Sequence, residues 1–268
     1  MKKELDKVTN QISKILDIFN TSEGEIRPHF ILTGPSGSGK TFTIETLCQD
    51  KDIEMFEINA AQLTKEGTSG NSLSKALGPL KNLAGKPAIC FVDEWDKLFL
   101  SGNSNSELAH ETTTGVQNEF LKVLESKKTS VFGDFGKYVE VDTSNVLFIF
   151  AGAFNNQEDI TIDDLRQIGV KTEFLGRVGL VYNTKPMSLD LLLELLENST
   201  LLTNYCVLFN KEKSEIIESI KPYVIKHYEK NTIGARILTT LIHQYFIKGG
   251  NMNDDEVNKV TFQKTLTL

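Results

Sequence analysis

Arginine is rare in this chain: only Arg27, Arg166, Arg177 and Arg236 stand among its 29 basic residues. Against 36 acidic residues this leaves a formal net charge of −7 and a pI near 5.3. That balance argues against a broad footprint on a nucleic-acid backbone, which needs clustered positive charge. Cysteine is rarer still. Cys48, Cys90 and Cys206 are odd in number, widely spaced and set among apolar neighbours, so they read as buried reduced thiols and not as a disulfide or zinc site. The four histidines show no ligand spacing. Long hydrophobic runs are missing too: the longest, around Val146 to Phe154, is too short to span a bilayer. Met1-Lys2-Lys3-Glu4-Leu5-Asp6 lacks the apolar centre of a signal peptide. These absences lead to the expectation of a cytoplasmic protein with no membrane partner. No internal repeat or low-complexity tract is evident.

What is present begins with Phe30-Ile31-Leu32-Thr33, an apolar strand that runs into Gly34-Pro35-Ser36-Gly37-Ser38-Gly39-Lys40-Thr41 and then into a helix-like run through Phe42, Ile44 and Leu47. This fits G-x-x-x-x-G-K-[ST] at every fixed position. Glycines let successive backbone N–H groups turn toward one anion, and the following helix adds the positive end of its dipole. Gly34, Pro35, Ser36, Gly37, Ser38, Gly39, Lys40, Thr41 and Phe42 are therefore expected at a nucleotide phosphate site, with Lys40 on the β/γ-phosphates and the Thr41 hydroxyl on Mg²⁺.

Pro87-Ala88-Ile89-Cys90-Phe91-Val92-Asp93-Glu94 is the second chemical stretch. An all-apolar run of this length reads as a strand buried on both faces of a parallel sheet. It ends in two carboxylates. In a P-loop fold Asp93 would hold Mg²⁺ through water, and Glu94 would orient and polarise the attacking water.

Around these stretches the pattern predicts a helix over residues 3 to 20, an alternating strand at Ile53–Ile58, and a helical run through Leu73, Leu77, Leu80 and Leu83. Ser101 to Thr114 reads as a loop, Gly115 to Ser126 as a helix, and Phe132-Gly133-Asp134-Phe135-Gly136 as a hairpin whose aromatics either fold onto the core or meet a substrate. Asn145 to Asn155 is another buried strand that would end near the P-loop. After Pro186 the pattern turns helical, at Leu189–Leu196, Glu212–Tyr228 and Gly234–Ile247, with a short strand at Val260-Thr261-Phe262. The expected fold is an α/β parallel sheet flanked by helices over residues 1–185, followed by a smaller, mainly helical domain over 186–268.

Together these motifs resemble the AAA+ ATPases, and among them the ClpX/HslU type of ring-forming unfoldase. The glycine loop resembles that family's Walker A, and Phe91-Val92-Asp93-Glu94-Trp95-Asp96-Lys97 its Walker B. Gly115-Val116-Gln117 and Val141 through Phe154 are similar to its next helix and strand. Glu173-Phe174-Leu175-Gly176-Arg177 resembles the arginine-finger box, and Thr232-Ile233-Gly234-Ala235-Arg236 the sensor-2 motif. Two of the four arginines thus fall where the family sets guanidinium against phosphate. The resemblance implies ATP with Mg²⁺, an in-trans role for Arg177, a γ-phosphate-sensing role for Arg236 and a carboxy-terminal lid domain. It further implies a hexameric ring that remodels or disassembles a protein partner. For sensor 1, Asn155 is the polar candidate.

The departures narrow this picture. Where the family carries an aromatic–aliphatic pair between two glycines, the chain has Gly67-Thr68-Ser69-Gly70, which weighs against gripping and threading a polypeptide there. Phe132 and Phe135 are the alternative gripping residues. Between Phe154 and Glu173 there is no apolar peptidase-docking loop, so a peptidase is not an expected partner; the amino terminus has neither zinc-finger cysteines nor the I-G-Q box that helps hold adenine, so the preference for adenine is what the resemblance alone implies. Nucleic acid is disfavoured by charge, although hydroxyl-rich loops suit phosphate backbones. An ATP-gated assembly platform that recruits a partner without threading it stays open as a second reading.

Overall fold

The structure, a computed structural model, describes residues 7–65, 70–83, 85–100, 107–133, 136–231, 233–250 and 252, with side chains left aside at 100 and 107–112. Thr68, Ser69, Phe135, Thr232 and the strand expected at Val260–Phe262 lie outside the described residues. The chain forms two compact units, one of Met1–Pro35 with Gly39–Lys185, the other of Ser36–Ser38 with Pro186–Leu268.

In the first unit, β1 (Phe30–Thr33), β2 (Glu54–Asn59), β3 (Ala88–Asp93), β6 (Val146–Gly152) and β7 (Leu180–Asn183) form one sheet in the order β2-β3-β6-β1-β7, with every pairing parallel. The apolar runs of β1, β3 and β6 follow from burial on both faces. Ile31, Cys90, Val92, Phe148 and Phe150 point into one core with Trp95, Phe120 and Phe174. Phe30, Leu32, Ile89, Phe91, Leu147 and Ile149 point into the other. That second core is closed by α1 (Lys7–Thr21), through Ile12, Ile15, Leu16 and Phe19, and by Ile44 and Cys48 of α2 (Lys40–Asp50).

Several elements differ from the sequence expectation. The run through Leu73 to Leu83 is two single-turn helices, α3 (Leu73–Ala76) and α4 (Leu80–Leu83); Gly78 and Pro79 interrupt it because proline cannot continue a helical hydrogen-bond ladder. Between β3 and the next long helix lies α5 (Lys97–Leu100). That helix, α6 (Glu107–Glu125), begins well inside the segment expected to be a loop. The good helix formers Glu107, Leu108, Ala109 and Glu111 carry it through the threonines. The hairpin is present as β4 (Lys128–Phe132) against β5 (Tyr138–Asp142), with Phe132 edge-on to Tyr138 at 5.7 Å. Two further helices, α7 (Ile162–Gln167) and α8 (Thr172–Arg177), precede β7.

The second unit is helical, with α9 (Leu189–Glu197), α10 (Thr200–Phe209), α11 (Lys213–His227) and α12 (Arg236–Ile247) around Leu196, Leu202, Ile220 and Ile242. The hydroxyls of Ser188 and Ser199 accept the Leu191 and Leu202 N–H groups, capping α9 and α10. Of these helices α10 was not foreseen: it is apolar nearly all round and carries little helical period. All three cysteines are buried, as expected.

Candidate functional site

The carboxyl ends of β1, β6 and β3 finish level with one another, Thr33 beside Gly152 and Val92 beside Phe150. Three connections therefore leave the sheet at one edge, where ligands sit in parallel α/β sheets.

From β1 the chain enters the glycine loop. Gly34, Gly37 and Gly39 take φ of 141°, 74° and 82°, a region open to glycine and costly for other residues. The loop's entry is fixed against β7: Thr33 Oγ1 donates to Asn183 Oδ1 at 2.5 Å, and Thr184 N and Oγ1 both donate to Thr33 O, at 2.8 and 2.9 Å. A Cβ on Gly34 would lie 2.0 Å from Thr184 Oγ1, so the packing itself demands glycine there. Lys40 opens α2 and is only 9% exposed. Its ammonium folds back into the loop and donates to the carbonyls of Gly34 at 2.7 Å and Pro35 at 3.1 Å. Thr41 is half-buried beside it and Phe42 is exposed.

At the end of β3, Asp93 is half-buried and accepts the Glu94 N–H at 2.8 Å. Glu94 takes φ 54° and is exposed at the sheet edge. Burial pushes the carboxyl of Glu57, on the neighbouring strand, above its ordinary value, helped by the negative charges of Asp93, Glu45 and Glu94. This edge is thus electrostatically negative, and its carboxylates suit a bound cation.

Beyond β6, Phe154, Asn155 and Asn156 have φ of 45°, 57° and 58° in succession, one left-handed turn closed by the Asn156 N–H on Ala153 O at 2.7 Å. Three consecutive non-glycine residues in this region store strain, a feature of functional sites. Asn155, the sensor-1 candidate, is exposed on it. The sequence reading did not anticipate the carboxylate that supports this turn: Asp96, 1% exposed, accepts the Phe154 N–H at 3.1 Å.

Arg177 ends α8, and its guanidinium is paired with Glu125 Oε1 at 2.9 Å from Nη2 and 3.1 Å from Nε, with both side chains about half exposed. Arg236 is exposed at the start of α12 in the second unit. Among the described residues no cluster of His, Cys, Asp and Glu forms a ready metal cage, and no helix is long and apolar enough to cross a membrane.

The profile of the ATPase family associated with various cellular activities (AAA) matches residues 30–174, from β1 into α8. The chain belongs to this family. It is 24% identical to the ATP-dependent Clp protease ATP-binding subunit ClpX of Bacteroides thetaiotaomicron, over 88% of this chain and 68% of that protein. To the ATP-dependent Clp protease ATP-binding subunit ClpX 2 of Wolinella succinogenes it is 27% identical, over 81% of this chain and 64% of that protein. The chain therefore spans about two thirds of the length of these relatives. It is a ClpX-like AAA+ ATPase, and ATP hydrolysis is its chemistry.

Proposed function

We propose that the chain binds ATP with Mg²⁺ at the Gly34–Thr41 loop, hydrolyses it within a homo-hexameric ring, and uses turnover to remodel or disassemble a protein partner in the cytoplasm. The observation that carries the nucleotide site is the loop itself: three glycines in the left-handed region with the Lys40 ammonium drawn inside. The two ClpX relatives support the ring and the partner.

The residues present fit the ligand. A loop of this kind offers backbone N–H groups and one cation to the phosphates, and the negative edge at Asp93 and Glu94 fits the metal. Bound Mg-ATP supplies an activated γ-phosphoryl group. Lys40 would exchange the Gly34 and Pro35 carbonyls for phosphate oxygens, and the Thr41 hydroxyl, with the Asp93 carboxylate through water, would hold the metal. Glu94, turned outward by its left-handed backbone, orients a water and accepts its proton. Asn155 donates its amide toward the phosphates from the left-handed turn. Arg177 leaves Glu125 to stabilise charge on a neighbouring subunit's nucleotide, and Arg236 senses the γ-phosphate in its own chain. Residues 1–185 form the ATP-binding domain and 186–268 a lid that hinges with the nucleotide state.

The deciding experiment combines phosphate release with mass by light scattering, with and without Mg-ATP, on the native chain and on Glu94→Gln. Glu94→Gln is expected to bind ATP, to hydrolyse it at least about a hundredfold more slowly, and to assemble into a closed ring that retains its partner. A chain that binds ATP and stays monomeric removes the in-trans role of Arg177. A nucleotide-locked ring that recruits a partner and leaves its fold and assembly untouched favours the ATP-gated platform, the reading supported by Thr68 and Ser69 in place of an aromatic grip.

A further inference from the structure

Asp96 is the one acidic side chain among the described residues that is buried, at 1% exposure. A carboxylate taken out of water needs a specific return, in the form of charge-assisted hydrogen bonds. Its Oδ2 accepts the backbone N–H of Phe154 at 3.1 Å and lies 3.6 Å from the half-exposed Lys97 ammonium. Its Oδ1 lies against Gly152, where an added Cβ would come within 2.8 Å of it. The carboxylate is thus wedged between the loop after β3 and the end of β6.

Both neighbours of this wedge matter. Two residues before Asp96 stands Glu94 at φ 54°, and between them the Trp95 N–H donates to Ala151 O at 2.8 Å. One residue after Phe154 stands Asn155, in the middle of the left-handed turn. Such a turn persists only when its surroundings over-determine it. The Asp96 bond grips the first N–H of that turn, so a single buried group restrains the backbones of both candidates.

We propose that Asp96 is a positioning residue for hydrolysis, locking the Glu94 loop to the Asn155 turn so that the two side chains hold a fixed spacing over the phosphate site. This rests on the assignment of Glu94 as the group that orients water. Positioning errors of about 1 Å can cost a hundredfold in rate without weakening ground-state binding. Asp96→Ala removes the acceptor and frees the turn, whereas Asp96→Asn keeps an oxygen for the Phe154 N–H.

The test is steady-state hydrolysis of Mg-ATP together with binding of a fluorescent ATP analogue, on Asp96→Ala, Asp96→Asn, Glu94→Gln and the double variant Glu94→Gln/Asp96→Ala. Asp96→Ala is expected to lower kcat about tenfold or more, with analogue affinity held within about twofold, and Asp96→Asn to recover most of the loss. In the double variant the Asp96→Ala effect should shrink to the smaller part exerted through the Asn155 turn, since the Glu94 carboxylate is no longer there to position. If Asp96→Ala does not fold, Gly152→Ala, whose Cβ would crowd both the Asp96 carboxylate and the Phe154 ring of the turn it supports, must reproduce the kcat loss. An equal loss of affinity and kcat, or a full Asp96→Ala effect on top of Glu94→Gln, overturns the proposal. A Glu94→Gln variant that hydrolyses normally overturns the underlying assignment of Glu94, a separate outcome.

Discussion

The indole of Trp95 stacks on the ring of Phe174, with centroids 5.0 Å apart and planes 21° from parallel. Trp95 follows Glu94 directly, and Phe174 lies one helical turn before Arg177 in α8. Phe120 and Phe150 pack edge-on or tilted around the same indole, at 5.3 and 4.9 Å. One rigid aromatic cluster therefore carries both the carboxylate proposed for a chain's own nucleotide and the arginine proposed for its neighbour's.

Removing the indole should be costly. Trp95→Ala is expected to destabilise the first unit by about 3–5 kcal/mol, read as a lower denaturation midpoint with an unchanged m-value. Trp95→Phe should cost clearly less, because the buried indole N–H has no hydrogen-bond partner to lose. A Trp95→Ala cost below about 1 kcal/mol would mean the cluster re-closes around the gap.

Lys40→Ala takes away the ammonium now held by the Gly34 and Pro35 carbonyls. Titration calorimetry with Mg-ATP should show no binding by this variant at concentrations that saturate the native chain. Unchanged ATP affinity would remove the loop from the site.

Arg177 and Glu125 are both about half exposed, so their pair contributes at most about 1 kcal/mol. Arg177→Ala should therefore unfold almost like the native chain while losing about a thousandfold in hydrolysis, the range seen for arginine fingers. Mixing it with Glu94→Gln subunits should restore activity, because each supplies what the other lacks. Absence of restoration in a mixed ring would place Arg177 outside the neighbour's site.

His29 adds a pH dependence. Burial, reinforced by the Arg27 charge, pushes its imidazole down to about 3, and Nδ1 accepts the Phe148 N–H at 3.0 Å. The unfolded chain binds this proton near the ordinary value of about 6.5, while the folded chain refuses it until about 3. Stability therefore falls as pH drops through that window. From about pH 7.5 to 5.5 the loss should be about 1.4 kcal/mol. His29→Asn, whose amide oxygen can accept the same N–H without titrating, should flatten that part of the profile. An equal slope in both proteins would assign the dependence to other groups.

The strands that carry the site were legible because they are buried on both faces, and unbroken apolar runs such as Ile89 to Val92 have no other ready use in a chain of this charge. The glycine loop was legible because its chemistry is local in sequence. β7 was not: it is four residues long, with Leu180 41% exposed, and its hold on Thr33 runs through Asn183, 150 residues away. Asp96 was seen only as a motif letter, since its partner Phe154 lies 58 residues on and nothing local marks a buried carboxylate. The early start of α6 was hidden by its threonines, which favour loops in isolation and are tolerated once neighbours propagate the helix.

The buried cysteines make the folded chain a clock for its own opening. A thiol reagent needs an accessible thiolate, and burial both shields Cys48 and raises its ionisation to about 12, while Cys90 is fully enclosed. Alkylation must wait until the surrounding structure opens, so its rate reports the free energy of opening. With Cys48 and Cys90 in one unit and Cys206 in the other, mass spectrometry of labelled peptides can time each unit's opening separately, with and without nucleotide.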